Sequence, residues 1–383
     1  MYQKILFRIT TVPISLKYLL NGQLNFMQKY YNVFAVSSSG KDLEFIENLG
    51  IRTEVIEMTR SITPFKDIIA IVKMFFLFKK EKPFIVHTHT PKAGLIGMVA
   101  AKLAGVPNKL HTVAGLPLME SRGLKRIVLK TVEKFTYYLS DRVYPNSLGL
   151  KEFILKSKLC DKAKLKVIGN GSSNGINTEY FSNTVEIIEK SVKLKNKLDI
   201  TDESIVLCYI GRIVKDKGIN ELISAFNGIT IPNLKLLLLG EEESELDPIS
   251  ENSKIILLKN SNIIKCGWQN DVRAYLAITD IFVFPSYREG FPNVVLQAGA
   301  MGIPCIVSNI NGCNEIIINN KNGIIIEPKN EIQLKKAIIQ LVEDTSLRKE
   351  LALNARAMIV ERFEQHYVWN EILNEYKTFE KSC

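Results

Sequence analysis

Two stretches of this 383-residue chain carry residue types that can manage a ligand rich in phosphate and hydroxyl groups. The first, GRIVKDKG from Gly211 to Gly218, follows an apolar run at 205–210 and precedes a helix-forming segment from Gly218 to Phe226. Arg212 can grip two oxygens with its fork, Lys217 supplies a point charge, and Gly218 admits close backbone approach, an arrangement suited to a diphosphate at a helix start. A solvated Lys/Asp turn reads equally well from these residues alone. The second stretch, FPSYREGFPNVVLQAGAM from Phe284 to Met301, joins a strand end, a loop with Arg288, Glu289 and Gly290, and a helix opened by Pro292 and Asn293. A helix start offers unpaired N–H groups that attract anions. Glu289 accepts hydrogen bonds only, so its ligand must donate them, as a sugar hydroxyl does.

The histidines form a third group. His111 ends an apolar strand at 109–112, and His87 and His89 stand two apart, on one face of a strand. As a metal pair His87 and His89 lack a third ligand. A lone strand-end histidine more often packs or satisfies a hydrogen bond than catalyses. Six cysteines (Cys160, Cys208, Cys266, Cys305, Cys313 and Cys383) are scattered without paired short spacings, which reads as free thiols in a reducing cytoplasm, with no disulfide framework and no zinc. Neither half has GxGxxG after its first strand or a Walker lysine motif, against a dinucleotide dehydrogenase or a nucleotide hydrolase.

The elements that must hold these residues alternate. Short apolar strands near 5–9, 33–36, 51–56, 84–87, 109–112, 142–145 and 165–168 are separated by helical stretches, including 64–80, 93–104 and one ending near Leu139. After a polar, Lys-rich segment at 177–199 a second cycle begins, with strands at 205–210, 234–239, 263–266, 281–284, 305–307 and 323–326 between helices. Strands spaced by helices of this length predict parallel β/α units. Hydrophobic content of 46% supplies two cores. The expected fold is therefore α/β, with two Rossmann-like domains and a cleft between them, toward which both sheets direct their carboxyl ends.

Charge is uneven. Residues 1–182 hold 27 Lys and Arg against 13 Asp and Glu, and residues 183–383 hold 23 against 27. The basic half suits an anionic membrane face or an acidic ligand, or serves solubility alone; zinc-finger spacing and interleaved Arg and aromatic residues are missing, so nucleic acid is not expected. The most membrane-like run, IIAIVKMFFLF at 68–78, is far below the ~20 apolar residues of a span. Phenylalanines beside Lys66, Lys73, Lys79 and Lys80 fit a helix buried on the first sheet, or one whose outer edge rests among anionic headgroups.

The order GRIVKDKG, CGWQNDV and DIFVFPSYREGFPNVVLQAGAMGIP resembles glycosyltransferase family 4, retaining enzymes of the GT-B fold. HTHTPKAG, LHTVAG and GNGSSNGINTEYF in the first half look like the branch that builds capsule, lipopolysaccharide and other lipid-linked glycans. The resemblance implies an acceptor-binding domain at 1–182, a nucleotide-sugar-binding domain at 183–363 and a C-terminal helix at 364–383 packing back toward the first domain. It implies transfer of a hexose or N-acetylhexosamine from a UDP-sugar to a polyprenyl-diphosphate-linked saccharide, without metal or other cofactor, by a cytoplasmic protein peripheral on the inner membrane face.

Carried onto this sequence, the family's roles give Arg212 and Lys217 the donor diphosphate, Glu289 the sugar hydroxyls, and the backbone of Gly290, Phe291, Pro292 and Asn293 the sugar and β-phosphate. Gly267 and Trp268 would hold the base, with Trp268 either stacking or packing. His111 would face the transferred sugar, with Glu289 as its catalytic counterpart, and His89 and Lys92 would shape the acceptor side. The family's second glutamate, which holds the ribose, falls where this chain has Gln297: an amide offers one acceptor and one donor in place of two acceptors. The loop at 10–15 also lacks the paired glycines common in other branches. A decayed, non-catalytic assembly subunit and a GT-B nucleotide-sugar epimerase are the competing expectations; the retained Arg212, Lys217, Glu289 and His111 argue against the first, and the motif order against the second.

Overall fold

The computed structural model describes residues 3–59, 61–119, 121–243 and 247–381. Contacts divide the chain into two units, Met1–Asn174 with His366–Cys383, and Gly175–Gln365. The division falls earlier than the boundary at 182 expected from the sequence.

The first unit is built on six parallel strands, β1 (Ile5–Ile9), β2 (Asn32–Ser37), β3 (Arg52–Val55), β4 (Ile85–Thr88), β5 (Asn108–Val113) and β6 (Arg142–Pro145), in the order β3-β2-β1-β4-β5-β6. Alternate residues face opposite sides, so a strand covered on both faces must be apolar throughout. In β1, Leu6 enters one core with Val33, Ile85, Leu110 and Tyr144, whereas Phe7 enters the other with Phe34, Val86 and Met74. Phe7 stacks on Phe34 at 4.6 Å between ring centroids and meets the edge of Phe78 at 5.3 Å. The core that holds Leu6 also takes Val368, Trp369, Ile372, Leu373 and Tyr376, one stripe of the C-terminal helix Gln365–Glu380. The end of the chain thus supplies one wall of the unit that its beginning founds. Strand order reverses between β1 and β4, and the loops after such a switch point are where open α/β sheets bind ligands.

The second unit repeats the plan with β7 (Ile205–Ile210), β8 (Leu234–Leu239), β9 (Ile263–Gly267), β10 (Ile281–Phe284), β11 (Cys305–Ser308) and β12 (Gly323–Ile326), ordered β12-β11-β10-β7-β8-β9 and all parallel. Its switch point lies between β7 and β10, the two strands that run into GRIVKDKG and into FPSYREGF. Helix Asn293–Ala300 starts from Pro292, whose fixed φ suits a helix entry.

Two local expectations need correction. The apolar run at 165–168 makes no strand: Leu165 forms one bridge to Val143. The Lys-rich segment at 177–199 is mostly the helix Val185–Lys197, where the Thr184 hydroxyl accepts from Ile187 N and Ile187 is buried. Its exposed lysines concealed a narrow apolar stripe. The five described cysteines are free, and burial pushes the Cys266 thiol up to about 11; Cys383 lies outside the described residues.

Truncating one side chain of the C-terminal stripe, Leu373→Ala, should destabilise the first unit by about 2–5 kcal/mol through lost transfer energy and a cavity. The two tryptophans fall in different units, so Trp369 fluorescence in a Trp268→Phe background reports that unit's urea transition. An unchanged midpoint would show that the helix does not complete this core.

Candidate active site

The candidate residues fall into two groups, one in each unit. In the second unit the GRIVKDKG turn is a 3₁₀ turn, Lys215–Lys217, before the helix Ile219–Asn227. Gly218 sits at φ 71°, and a Cβ there would lie 2.1 Å from the Pro285 carbonyl oxygen. The glycine is therefore required by contact between the two motifs, a closer reason than the ligand approach expected for it. Tyr287 N donates to Asp216 O at 2.9 Å, and Tyr287 Oη donates to Glu221 Oε1 at 2.6 Å, so the two loops are sewn together.

At their junction Lys217 Nζ donates to Glu289 Oε1 at 2.5 Å, with both side chains largely shielded from water. Ser286 Oγ, fully buried, lies 3.1 Å from the same carboxylate oxygen. Beside it the Arg288 guanidinium binds Asp216 Oδ2 at 2.5 Å, and half-exposed Arg212 pairs with Glu243 at 2.8 Å. Each of these cations is thus held by a carboxylate, and an incoming anion must compete for it.

The loop backbone is held from the other side. Asn311 Nδ2 donates to the carbonyls of Glu289 at 3.1 Å and Gly290 at 2.7 Å. Gly312, at φ 76°, presses so close that a Cβ would sit 2.6 Å from Gly290 O and 2.9 Å from Pro292 Cδ. Sequence reasoning missed Asn311 and Ser286; the Asn-Gly pair after β11 was the available turn signal. Phe291 packs against Phe363, Pro292 is buried, and Asn293 is exposed at the helix start. Gln297 is partly exposed on the same helix. Gly267 ends β9 at φ 64°, and Trp268 is 65% exposed, with its indole N–H on Asn270 Oδ1 at 3.2 Å. That exposure removes the packing alternative for Trp268.

In the first unit the histidines lie at the carboxyl ends of β4 and β5, adjacent strands in which Thr88 pairs with His111. His111 is buried, its Nδ1 2.7 Å from Thr88 Oγ1, and desolvation pushes it down to about 3. Gly94 makes room for it: a Cβ there would meet His111 Cε1 at 2.5 Å. The rings of His87 and His89 lie against each other, tilted by 35° with centroids 4.2 Å apart. His87 contacts Tyr376 Oη at 2.5 Å and Thr112 Oγ1 at 2.8 Å, while His89 Nε2 accepts from Arg8 Nε at 2.9 Å. Burial first, then Arg8 and the neighbouring rings, hold both well below the ordinary imidazole value. Because His89 Nε2 accepts, its proton resides on Nδ1. Arg8 itself is fully buried in the β1 strand and also donates to Gln23; its only trace in the sequence is a charge interrupting an apolar strand. Lys92 opens the helix Pro91–Ala104 but is bound to Asp67 at 2.5 Å, both partly buried.

Residues 8–147 match the Glycosyl transferase 4-like family, and residues 191–358 match the Glycosyl transferases group 1 family. The chain is 38% identical over 383 residues to the capsular polysaccharide biosynthesis glycosyltransferase CapM of Staphylococcus aureus, covering 99% of this chain and 98% of that protein. It is 32% identical over 314 residues to the UDP-Gal:alpha-D-GlcNAc-diphosphoundecaprenol alpha-1,3-galactosyltransferase of Escherichia coli, covering 80% and 78%. Among solved structures, Anabaena Alr3699/HepE in complex with UDP is similar at a TM-score of 0.83 and 18% identity, covering 98% of this chain and all of that one (100%). A glycosyltransferase from Rickettsia africae is similar at 0.85 and 20%, with 100% of both chains covered. Matched along almost its whole length by such relatives, the chain belongs to the GT-B glycosyltransferases of the group 1, family 4-like type, in the branch of capsule and lipopolysaccharide biosynthesis.

Proposed function

We propose that this glycosyltransferase moves a hexose or N-acetylhexosamine from a UDP-sugar to a polyprenyl-diphosphate-linked saccharide, with retention of configuration and without a metal. The second unit binds the donor and the first the acceptor. The observation that carries this reading is the Lys217–Glu289 pair at the switch point of the second sheet. It sets a phosphate-seeking cation against an acceptor for sugar hydroxyls, which is the polarity of a sugar diphosphate. Two relatives named for acceptors on diphospho-undecaprenol, from Escherichia coli and Campylobacter jejuni, and the UDP bound in the Anabaena structure support the two substrate classes.

Donor binding on this account exchanges partners. The diphosphate takes Lys217 and Arg212 from Glu289 and Glu243, and Glu289 turns to the sugar hydroxyls, with Ser286 as its fixed neighbour. As the glycosidic bond breaks, charge grows on the leaving diphosphate, and the two cations with the N-terminus of helix Asn293–Ala300 stabilise it. Gln297 meets the ribose with an amide, and Gly267 and Trp268 meet the base. His111 presents a neutral imidazole as a hydrogen-bonding group for the transferred sugar, and His89 and Lys92 serve the acceptor side. An acceptor on a lipid carrier places the protein on the cytoplasmic face of the membrane as a peripheral enzyme.

Two outcomes follow. Glu289→Gln frees Lys217, so calorimetry should show UDP bound about threefold to tenfold more tightly while turnover falls on the order of a hundredfold. Lys217→Ala should weaken UDP by about tenfold or more. Wild-type turnover in both variants, measured by mass spectrometry with a UDP-sugar panel and a lipid-diphosphate acceptor pool, would refute the site. His111, held down to about 3 by burial, stays neutral from mildly acidic to alkaline pH. The turnover profile should therefore show no limb near 6.5 from this residue; a limb there that disappears in His111→Gln would contradict its neutral role.

A further inference from the structure

The first unit leaves uncovered an apolar surface that its fold does not need. In the helix Pro64–Glu81, Phe65, Ile69, Val72 and Phe76 fall on one stripe and are all exposed, Phe65 to 85%. Lys66, Lys73 and Lys80 run along its flank and are exposed too. The helix Gly123–Leu139 repeats the pattern: Leu124, Ile127, Val128, Phe135 and Tyr138 are exposed on one side, Leu124 to 81%, between Lys125 and Lys134. The inner faces do the packing, through Ala70, Met74 and Phe78 in the first helix and Thr136 and Tyr137 in the second.

Both helices belong to one layer. They connect β3 to β4 and β5 to β6, and the helix Pro91–Ala104, which connects β4 to β5, packs against each of them. All three crossovers progress the same way along the sheet, so the right-handed rule puts them on the same face. Charge identifies what covers this layer. Asp67 is paired with Lys92, Glu81 with Arg52, and Glu133 is buried, so no carboxylate stands at an exposed position of either helix. A groove of about 380 Å³ on the second helix is lined by Lys130, Thr131, Lys134, Phe135 and Tyr138. Two ammonium groups one turn apart beside two aromatic rings offer a phosphate headgroup its charge partners and the upper acyl chain an apolar wall. No helix among the described residues is long and apolar enough to cross a membrane.

We infer that the helices Pro64–Glu81 and Gly123–Leu139 together form a docking face for an anionic lipid bilayer, with apolar side chains entering the headgroup region and the flanking lysines meeting lipid phosphates. The inference rests on the reading that the acceptor is lipid-linked and adds the surface that holds the enzyme beside it. Two helices give the enzyme a fixed orientation on the bilayer, which one amphipathic helix, free to roll about its axis, does not.

Flotation of the full chain with vesicles of phosphatidylcholine alone, or mixed with phosphatidylglycerol, tests the face. Recovery should require phosphatidylglycerol, and Lys130→Gln and Lys134→Gln should each lower the partition coefficient about fivefold, from roughly 1 kcal/mol per basic residue near the surface. Phe76→Ser in the first helix and Leu124→Ser in the second should each also reduce recovery. These side chains are exposed, so circular dichroism and melting temperature should stay at wild-type values. Equal recovery from both vesicle types, or loss on substitution in one helix only, would overturn the two-helix face. So would concentration-dependent dimerisation abolished by the same substitutions without vesicle binding. Transfer to a detergent-dispersed acceptor reads the other claim: its absence in the wild-type protein would remove the glycosyl-transfer reading, whereas flotation speaks only for the surface.

Discussion

Lys217 and Glu289 satisfy each other in the free protein, and most of the second unit's loop architecture is arranged so that they meet. The pair spans two motifs that are 72 residues apart in sequence and are brought together because β7 and β10 are neighbours in the sheet. Gly218 against Pro285, Tyr287 against Asp216, and Asn311 on two successive carbonyls each fix one side of that meeting. A shielded ion pair of this kind contributes modestly to stability, because desolvation offsets much of the attraction. On the proposed donor exchange its chemical value lies in poise: each partner holds the other in place until a ligand of opposite polarity replaces it.

The first unit solves a different problem. A buried guanidinium, Arg8, and three buried imidazoles sit near where β1, β4 and β5 end, and among the described residues their hydrogen bonds reach no carboxylate. Hydrogen bonds do what charge partners would do elsewhere, with Gln23, His89, Thr88, Thr112 and Tyr376 each taking a share. Tyr376 comes from the C-terminal helix, so the last turns of the chain both wall the core and orient His87. Burial keeps the histidines neutral, and a neutral imidazole with a defined tautomer serves as a directional hydrogen-bonding group.

Much of this was legible in the sequence, for physical reasons. Parallel strands buried on both faces must read as short apolar runs, and glycines or prolines must appear where the chain turns close to itself, so the α/β pattern and the two loops around Arg212 and Glu289 stood out. Roles such as Asn311 and Ser286 did not, because a side chain that orients a backbone carbonyl leaves no periodic trace. Arg8 was visible only as an interruption. The helix at 185–197 was obscured because an amphipathic helix with one narrow apolar stripe resembles a charged linker in composition. The exposed stripe on Pro64–Glu81 shares its period with a buried one; which side faces the sheet is settled only by packing.

The central claim is a retaining transfer organised by Lys217 and Glu289, and the anomeric configuration of the first-formed product tests it most directly. Proton NMR recorded during turnover of an α-configured UDP-sugar with a lipid-diphosphate acceptor reads that configuration from the anomeric coupling constant. The account predicts an α-linked product whose formation stops in Glu289→Ala. A β-linked product, or an α-linked one formed at the wild-type rate by that variant, would contradict it.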